Sequence, residues 1–238
     1  MGIVLAISDE ETIKQLKGDD TMKAISNSSK GFTLIELMVA LAATSILAAC
    51  IYATYITQLK SHTTQKQVVE MQQNLRAAMQ LIEREVRMAG YDPRRTANAG
   101  VTTMLGNTLT FDMDLTEDGD VSDLNEGVRY ALATDAAGNQ FLGRNASDGN
   151  GLQPLAVNID AFNFVYLDNT ATPTTDPLRV RSIQVTIIAR SGRVVPVLFN
   201  KQTDSRIYRN QQNQIILPPQ NDNFRRMIIT SEIKCRNL

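Results

Sequence analysis

The sequence predicts an α+β fold in which one long N-terminal helix packs on an antiparallel β-sheet domain. Two observations support this prediction. Residues 32–89 contain neither proline nor glycine, and their apolar side chains recur at helical spacing. From residue 94 onward Gly, Asn, Asp, Thr and Pro become frequent, and short runs alternate apolar and polar residues between turn signals. A helix of this length needs a surface on which to bury one stripe, and a sheet provides it.

The first half of the predicted helix is long enough to cross a membrane. Glu36 is the only formal charge between Lys30 and Lys60, and the apolar run continues to residue 56. A bilayer span needs about 20 predominantly apolar residues. An unpaired carboxylate in such a run costs about 2.5–3.5 kcal/mol on insertion scales. We therefore predict that residues 32–56 span a membrane and that Glu36 requires a positively charged partner, which a cut between Gly31 and Phe32 would supply as a new amine.

The second half of the helix, residues 57–90, is amphipathic. Its apolar positions are three or four residues apart, which places them on one helical face: Val68, Met71, Leu75, Ala78, Ile82, Val86 and Ala89. Glu83 and Arg87 lie four residues apart on the polar face. Gly90 and Pro93 are stop signals, so the predicted helix covers about 58 residues.

Residues 91–238 are predicted to form a β-rich domain. Its antiparallel strands are expected to bury one face each, and they are placed at 108–113, 128–132, 162–167, 183–187 and 227–234. Turn-forming pairs separate them, such as Asp118-Gly119 and Gly138-Asn139. The polar stretch 200–223 is predicted to be a long surface loop.

Composition and motifs argue against several classes of function. The chain carries 24 basic and 25 acidic residues, which gives no electrostatic reason to expect a nucleic-acid partner. It contains no Gly-x-Ser-x-Gly, phosphate-binding loop, Cys-x-x-Cys or His-x-x-x-His motif. We therefore predict a protein that is not an enzyme and has no catalytic cofactor. Cys50 lies in the apolar run and Cys235 near the chain end, so we predict two free thiols rather than a disulfide.

An acidic stretch at residues 114–120 is a candidate calcium site. Asp114, Asp118 and Asp120 alternate with other residues and flank a glycine, as in the first half of an EF-hand loop. Asn125, however, stands where a bidentate glutamate would close such a site. The stretch is thus either a structural calcium site or an acidic hairpin turn.

Residues 1–31 are predicted to be a targeting leader, with translation starting at Met1 or at Met22. Lys23 and Lys30 precede the apolar run. By the positive-inside rule they place the leader in the cytoplasm and the β-rich domain across the membrane.

Residues 30–36 (Lys-Gly-Phe-Thr-Leu-Ile-Glu) resemble the processing signal of type IV pilins and type II secretion pseudopilins. This resemblance implies that a prepilin peptidase cuts after Gly31 and methylates the amine of Phe32. It also implies a pilin-like fold, in which Glu36 pairs with the Phe32 amine of a neighbouring subunit in a filament. The implied partners are the peptidase, other major and minor pilins, an inner-membrane assembly platform and membrane lipid. The implied location is the inner membrane, as a single-pass protein with a periplasmic domain, and then the extracellular pilus.

Two further stretches narrow the resemblance. Residues 76–93 and 224–238 are similar to the helix end and the chain end of PilW-type minor pilins, and the pseudopilin GspJ is a more distant relative. The absence of proline from residues 32–92 favours a minor pilin or a pseudopilin. Three functions follow as alternatives: a PilW-like minor pilin, a GspJ-like minor pseudopilin of type II secretion, and a membrane-anchored binding domain.

Overall fold

The computed structural model describes residues 31–192 and 203–238. The chain divides into two units, one ending at Tyr55 and one formed by Ile56–Leu238. The predicted fold class is confirmed, because in the described part of the chain one long helix precedes antiparallel strands. The elements are α1 (Leu34–Val86), β1 (Val101–Leu105), β2 (Thr108–Asp112), β3 (Gly127–Thr134), β4 (Gln140–Asn145), β5 (Gln153–Val157), β6 (Ile159–Leu167), a 3-10 turn (Pro177–Arg179), β7 (Ser182–Arg190), β8 (Tyr208–Arg209), β9 (Ile215–Leu217) and β10 (Arg226–Lys234). The predicted leader up to residue 30, including Met22, lies outside the described residues.

Helix α1 has 53 residues and is shorter than predicted at both ends. It ends at Val86, after which tighter turns continue the chain. The amide of Ala89 donates to the carbonyl of Val86 at 3.2 Å. Gly90 then takes a positive φ of 78°, as expected for the residue that follows a helix. A Cβ at Gly90 would also meet Cδ2 of Leu238 at 2.5 Å, so both conformation and packing require glycine there.

The predicted apolar stripe of α1 is the face that the second unit buries. Six of its seven residues are buried, and Val68 is half-buried. Met79 and Glu85 are buried on the same face, which the sequence analysis did not anticipate.

Two sheets provide the surface for this stripe. Strands β1 to β5 form a five-stranded antiparallel sheet in sequence order, whereas a three-stranded sheet has the order β10-β7-β6. Both sheets contribute to one core with the helix stripe, and its fully buried members include Leu109, Phe111, Tyr130, Leu142, Ile183, Ile187 and Ile233. Cys235 lies in this core as a free thiol, and burial raises its pKa to about 12.

Two predictions about the second sheet were wrong. Strand β7 is buried on both faces rather than one, because Ile187 faces the main core while Ile188 faces the hairpin β8–β9. The stretch predicted as a surface loop at 200–223 contains the hairpin β8–β9 in its described part. Tyr208 and Leu217 of this hairpin are buried against Ala161 and Ile188, forming a second small core. These apolar residues are too few and too far apart to show a strand period in the sequence.

A buried arginine ties the region after the hairpin to this sheet. The side chain of Arg226 is 1% exposed. Its Nε donates to Asp160 Oδ2 at 2.5 Å, and its Nη2 donates to Asp222 Oδ2 at 2.6 Å. Its Nη1 also reaches Asp204 Oδ2 at 3.4 Å. We call Arg226, Asp160, Asp204 and Asp222 the Arg226 cluster. A charge buried in this way is tolerable because it is fully paired.

Candidate processing and assembly site

The residues of the predicted cleavage site precede helix α1 and are accessible. Residues 31–33 are not helical, and Phe32 is 89% exposed. A Cβ added to Gly31 would meet nothing within 4 Å. The described fold therefore places no steric demand for glycine at position 31.

Glu36 and Thr33 form a capping box at the start of α1. Thr33 donates from its amide and from Oγ1 to Glu36 Oε2, both at 2.9 Å. In return, the amide of Glu36 donates to Thr33 Oγ1 at 3.3 Å. This reciprocal pattern satisfies amide groups that a helix start leaves unpaired. All the accepted bonds fall on Oε2, and Oε1 accepts none from the described residues, so one carboxylate oxygen is left for an external donor.

The first part of α1 exposes a continuous apolar surface. Among the described helices, α1 alone is long and apolar enough to cross a membrane. Its most apolar stretch of 18 residues has a mean hydropathy of 2.3, and none of these residues is buried. Its exposed large side chains are Leu34, Ile35, Leu37, Met38, Val39, Leu41, Ile46, Leu47, Ile51, Tyr52 and Tyr55. Such a surface requires lipid or other apolar helices around it.

The three candidate calcium ligands do not come together as a cation site. Asp114 Oδ2 accepts from the amide of Gly119 at 3.0 Å, and Asp118 Oδ1 accepts from the amide of Asp120 at 3.1 Å. Asp120 Oδ1 accepts from the amide and hydroxyl of Ser122 at 2.8 Å. Each carboxylate thus stabilises a local turn. Across residues 31–192 and 203–238 no group of three His, Cys, Asp or Glu residues is placed to hold a metal ion.

Glu126 organises this acidic loop, which we define as residues 114–126. Its Oε1 accepts from the amides of Leu115 and Thr116 at 2.8 and 3.0 Å, and its Oε2 accepts from the amide of Asp123 at 3.1 Å. Burial alone would raise the pKa of Glu126, but these hydrogen bonds lower it below the usual range. The loop is an acidic turn between β2 and β3 whose carboxylates accept from its own amides, and the calcium alternative stays a prediction. Oδ1 of the buried Asp114 accepts no hydrogen bond from the described residues.

A buried ion pair on α1 was missed by the sequence analysis. Glu85 is 8% exposed, and its Oε2 accepts from the hydroxyl of Tyr130 and, at 2.9 Å, from Nε of Arg144. Burial, followed by the charge of Glu85, raises the pKa of Tyr130 far above its usual value. Arg144 also donates from Nη2 to Asn125 Oδ1 at 3.0 Å. The available signal was spacing, because Glu85 follows the buried Ile82 by three residues on the apolar face.

The chain is similar to known protein families in two regions of its sequence. The family profile described as "Prokaryotic N-terminal methylation motif" matches residues 26–52. A second profile, "Prepilin peptidase-dependent protein B", matches residues 64–215. No curated protein matches the chain. A type IV-like pilin from Thermus thermophilus aligns in structure with 14% sequence identity and a TM-score of 0.45, over 70% of this chain and 97% of that one.

The N-terminal motif and the long apolar helix before an antiparallel β domain define a membrane-anchored protein of the type IV pilin class. Within that class, the chain belongs to the family of prepilin peptidase-dependent protein B.

Proposed function

We propose that this chain is a minor type IV pilin of the PilW kind, cut after Gly31, methylated at Phe32 and assembled into a pilus or into the complex that starts one. The observation that carries the proposal is the accessible Gly31–Phe32 bond directly before an exposed apolar helix that carries Glu36. The similarity of residues 76–93 and 224–238 to PilW-type minor pilins supports the finer assignment.

The same geometry supports a specific role for Glu36. Cleavage creates an amine at Phe32, next to the residue that already donates to Glu36. In a single copy, Oε2 is held by Thr33 and Oε1 is open. The amine of a neighbouring subunit would fill that second position, which makes a carboxylate in an apolar bundle tolerable. Glu36 would thereby also fix the register of one helix against the next.

This proposal names partners and a location. The partners are a prepilin peptidase, other major and minor pilins, an inner-membrane assembly platform and the surrounding lipid. The precursor would sit in the inner membrane with its leader in the cytoplasm and its β domain in the periplasm, and would then move into the pilus. The function is assembly, and we propose no enzymatic activity for the chain.

Processing is tested by the intact mass of the protein made with and without a prepilin peptidase. We expect the peptidase to remove everything up to Gly31 and to leave one methyl group on Phe32. The variant Gly31→Asp should keep its leader. Because the described fold has open space at Gly31, loss of cleavage would report recognition by the peptidase rather than misfolding.

Gly100 provides the matched control, since an added Cβ there also meets nothing within 4 Å. Gly100→Asp should be cleaved normally. A wild-type chain that keeps its leader beside an active peptidase, or a Gly31→Asp chain that loses it, would contradict the proposal.

A further inference from the structure

A basic groove lies between the end of α1 and the C-terminal residues. It is a solvent-open cavity of about 470 Å³. Arg84, Arg87 and Arg236 supply its charge, while Met88 and Tyr91 supply its apolar surface. We use the name basic groove for the cavity lined by these five residues. Nothing in the pilin motif at the N-terminus accounts for it.

The positive charge of the groove is weakly compensated. The side chain of Arg84 is 76% exposed, and it reaches Glu85 only at 3.9 Å. That carboxylate already accepts from Tyr130 and from Arg144. Arg87 is 3.7 Å from Glu83, an acid that also lines the cavity, so Arg84 and Arg236 account for its net positive charge. The groove therefore favours a ligand that brings carboxylates together with apolar side chains.

The acidic loop of the same chain has this chemistry. Its exposed residues include four acids, namely Glu117, Asp118, Asp120 and Asp123. Two exposed leucines accompany them, Leu115 at 43% and Leu124 at 60% exposure. In contrast to most of the surface, this short segment thus combines negative charge with large apolar side chains.

The loop and the groove are neighbours on the second unit. The hydroxyl of Tyr91, which lines the groove, donates to Glu117 Oε1 at 3.0 Å. Leu115 lines an adjoining cavity of about 520 Å³ together with Arg84 and Met88. Within one copy the loop is held in its own turns by the buried Glu126. Two neighbouring patches of opposite charge can meet reciprocally only when two copies face each other.

We propose that a second copy of this chain binds at this surface, with the acidic loop of each copy in the basic groove of the other. A two-fold arrangement makes both contacts at once, because each copy presents both patches. The contact is independent of leader cleavage and of Glu36. It therefore stands or falls separately from the proposed function.

The test is self-association of the full chain in detergent micelles at low ionic strength, measured by sedimentation equilibrium. Arg84→Glu with Arg236→Glu reverses the groove. Glu117→Lys with Asp123→Lys brings the net charge of the loop's four exposed acidic positions to zero and leaves the turn-forming Asp118 and Asp120 in place. Each variant alone should self-associate at least about tenfold more weakly than wild type, because like charges face each other in the groove variant and the net negative charge is gone from the loop variant.

Mixing the groove variant with the loop variant should give stronger association than either shows alone, since the unchanged acidic loop of one then meets the unchanged basic groove of the other. Arg76→Glu is the matched control, an exposed arginine two turns earlier on α1 that does not line the groove; it should leave association unchanged. Circular dichroism and the thermal midpoint confirm that each variant is folded.

Three results would overturn the proposal. The first is a wild-type protein that stays monomeric in micelles. The second is self-association that neither the groove variant nor the loop variant weakens, which would mean that the apolar part of α1 mediates the contact. The third is a mixture of the groove variant and the loop variant in which association is no stronger than in either variant alone.

Discussion

The two units of this protein handle buried or lipid-facing charge in opposite ways. In the second unit, Arg226 is paired with three aspartates of its own chain. In the first unit, Glu36 has a partner for one oxygen, Thr33, and none for the other among the described residues. The buried charge of Arg226 is thus neutralised within its own unit, whereas one carboxylate oxygen of Glu36 is left open among the described residues.

The largest loss of stability is expected in the second unit, at the buried Arg226. Arg226→Met removes the buried cation that three aspartates share, and breaking a buried pair costs about 3–5 kcal/mol. Arg190 stays 3.5 Å from Asp160 and Arg206 stays 2.9 Å from Asp204, so Asp222 loses most. Urea titration of the detergent-solubilised protein, followed by tyrosine fluorescence, should show this loss. Arg209→Met is the control, because that exposed arginine donates only to the carbonyl of Asn213 and should cost less than about 0.5 kcal/mol. Equal stability of the two variants would contradict the role given to Arg226.

A smaller loss of stability is expected from breaking the ion pair between Glu85 of α1 and Arg144 of the five-stranded sheet. Arg144→Met removes the cation from the buried Glu85, leaving one hydroxyl donor from Tyr130, and should cost about 2 kcal/mol. The double variant Arg144→Met with Glu85→Met should recover part of this loss, because no unpaired charge is then buried. A double variant less stable than the sum of the two single changes would show that this pair is not coupled as described. The same urea titration measures all three proteins.

Acid should weaken the second unit through the Arg226 cluster. Hydrogen bonds from Arg226 hold the pKa of Asp222 below its usual range. Burial raises the pKa of Asp204, but hydrogen bonds from Arg206 and Tyr208 outweigh it and bring the pKa far below normal. A carboxyl with a lowered folded pKa binds more protons when unfolded, so its contribution is present above about pH 4 and is lost as the pH falls further.

The thermal midpoint should therefore decrease as the pH is lowered from 4 towards the folded pKa values. Arg226→Met should show a flatter acid dependence, because the pKa of Asp222 is then no longer lowered by that guanidinium. An unchanged pH dependence in this variant would show that the Arg226 cluster does not cause the loss of stability in acid.

The smallest effect is expected at the capping box. Thr33→Ala removes the hydroxyl that bonds to Glu36, and loss of such a cap costs about 1 kcal/mol. Amide hydrogen exchange in the first turn of α1 should become about fivefold faster, while Thr33→Ser should behave like wild type. No change in exchange would mean that the capping box does not hold this helix start in solution.

The sequence predicted the elements whose signal is local. The α1 stripe and strands β2, β3, β6, β7 and β10 follow from periodicity, although their ends shifted by a few residues. Strand β4 was missed because Gly143 and Arg144 interrupt its apolar pattern, and Arg144 turned out to serve Glu85. Strand β5 contains Pro154, which weakens a strand prediction and is compatible with its position at the edge of the sheet.

The site residues likewise divide into those that a local motif predicts and those that depend on contacts between distant parts of the chain. Gly31, Phe32 and Glu36 are readable from one short motif, and their roles stay predictions. The ion pair of Glu85 with Arg144 joins residues 59 apart, and no spacing rule connects them. The structure does not bring together the three carboxylates of the calcium hypothesis, because ligand spacing alone does not show which carboxylates are already used by local turns.

The most direct test of this account is the fate of a Glu36 variant after cleavage. Cells producing wild type, Glu36→Ala, Glu36→Gln or the control Ser45→Ala are compared for intact mass in the membrane and for the amount of the protein in sheared pili. Ser45 lies on the same apolar helix, and its hydroxyl bonds only to the carbonyl of Ala42. We expect all four proteins to be cleaved, and both Glu36 variants to be absent from the pili while Ser45→Ala is present. Entry of Glu36→Gln into pili at the wild-type level would contradict the account, because the carboxylate charge would then not be what completes the helix.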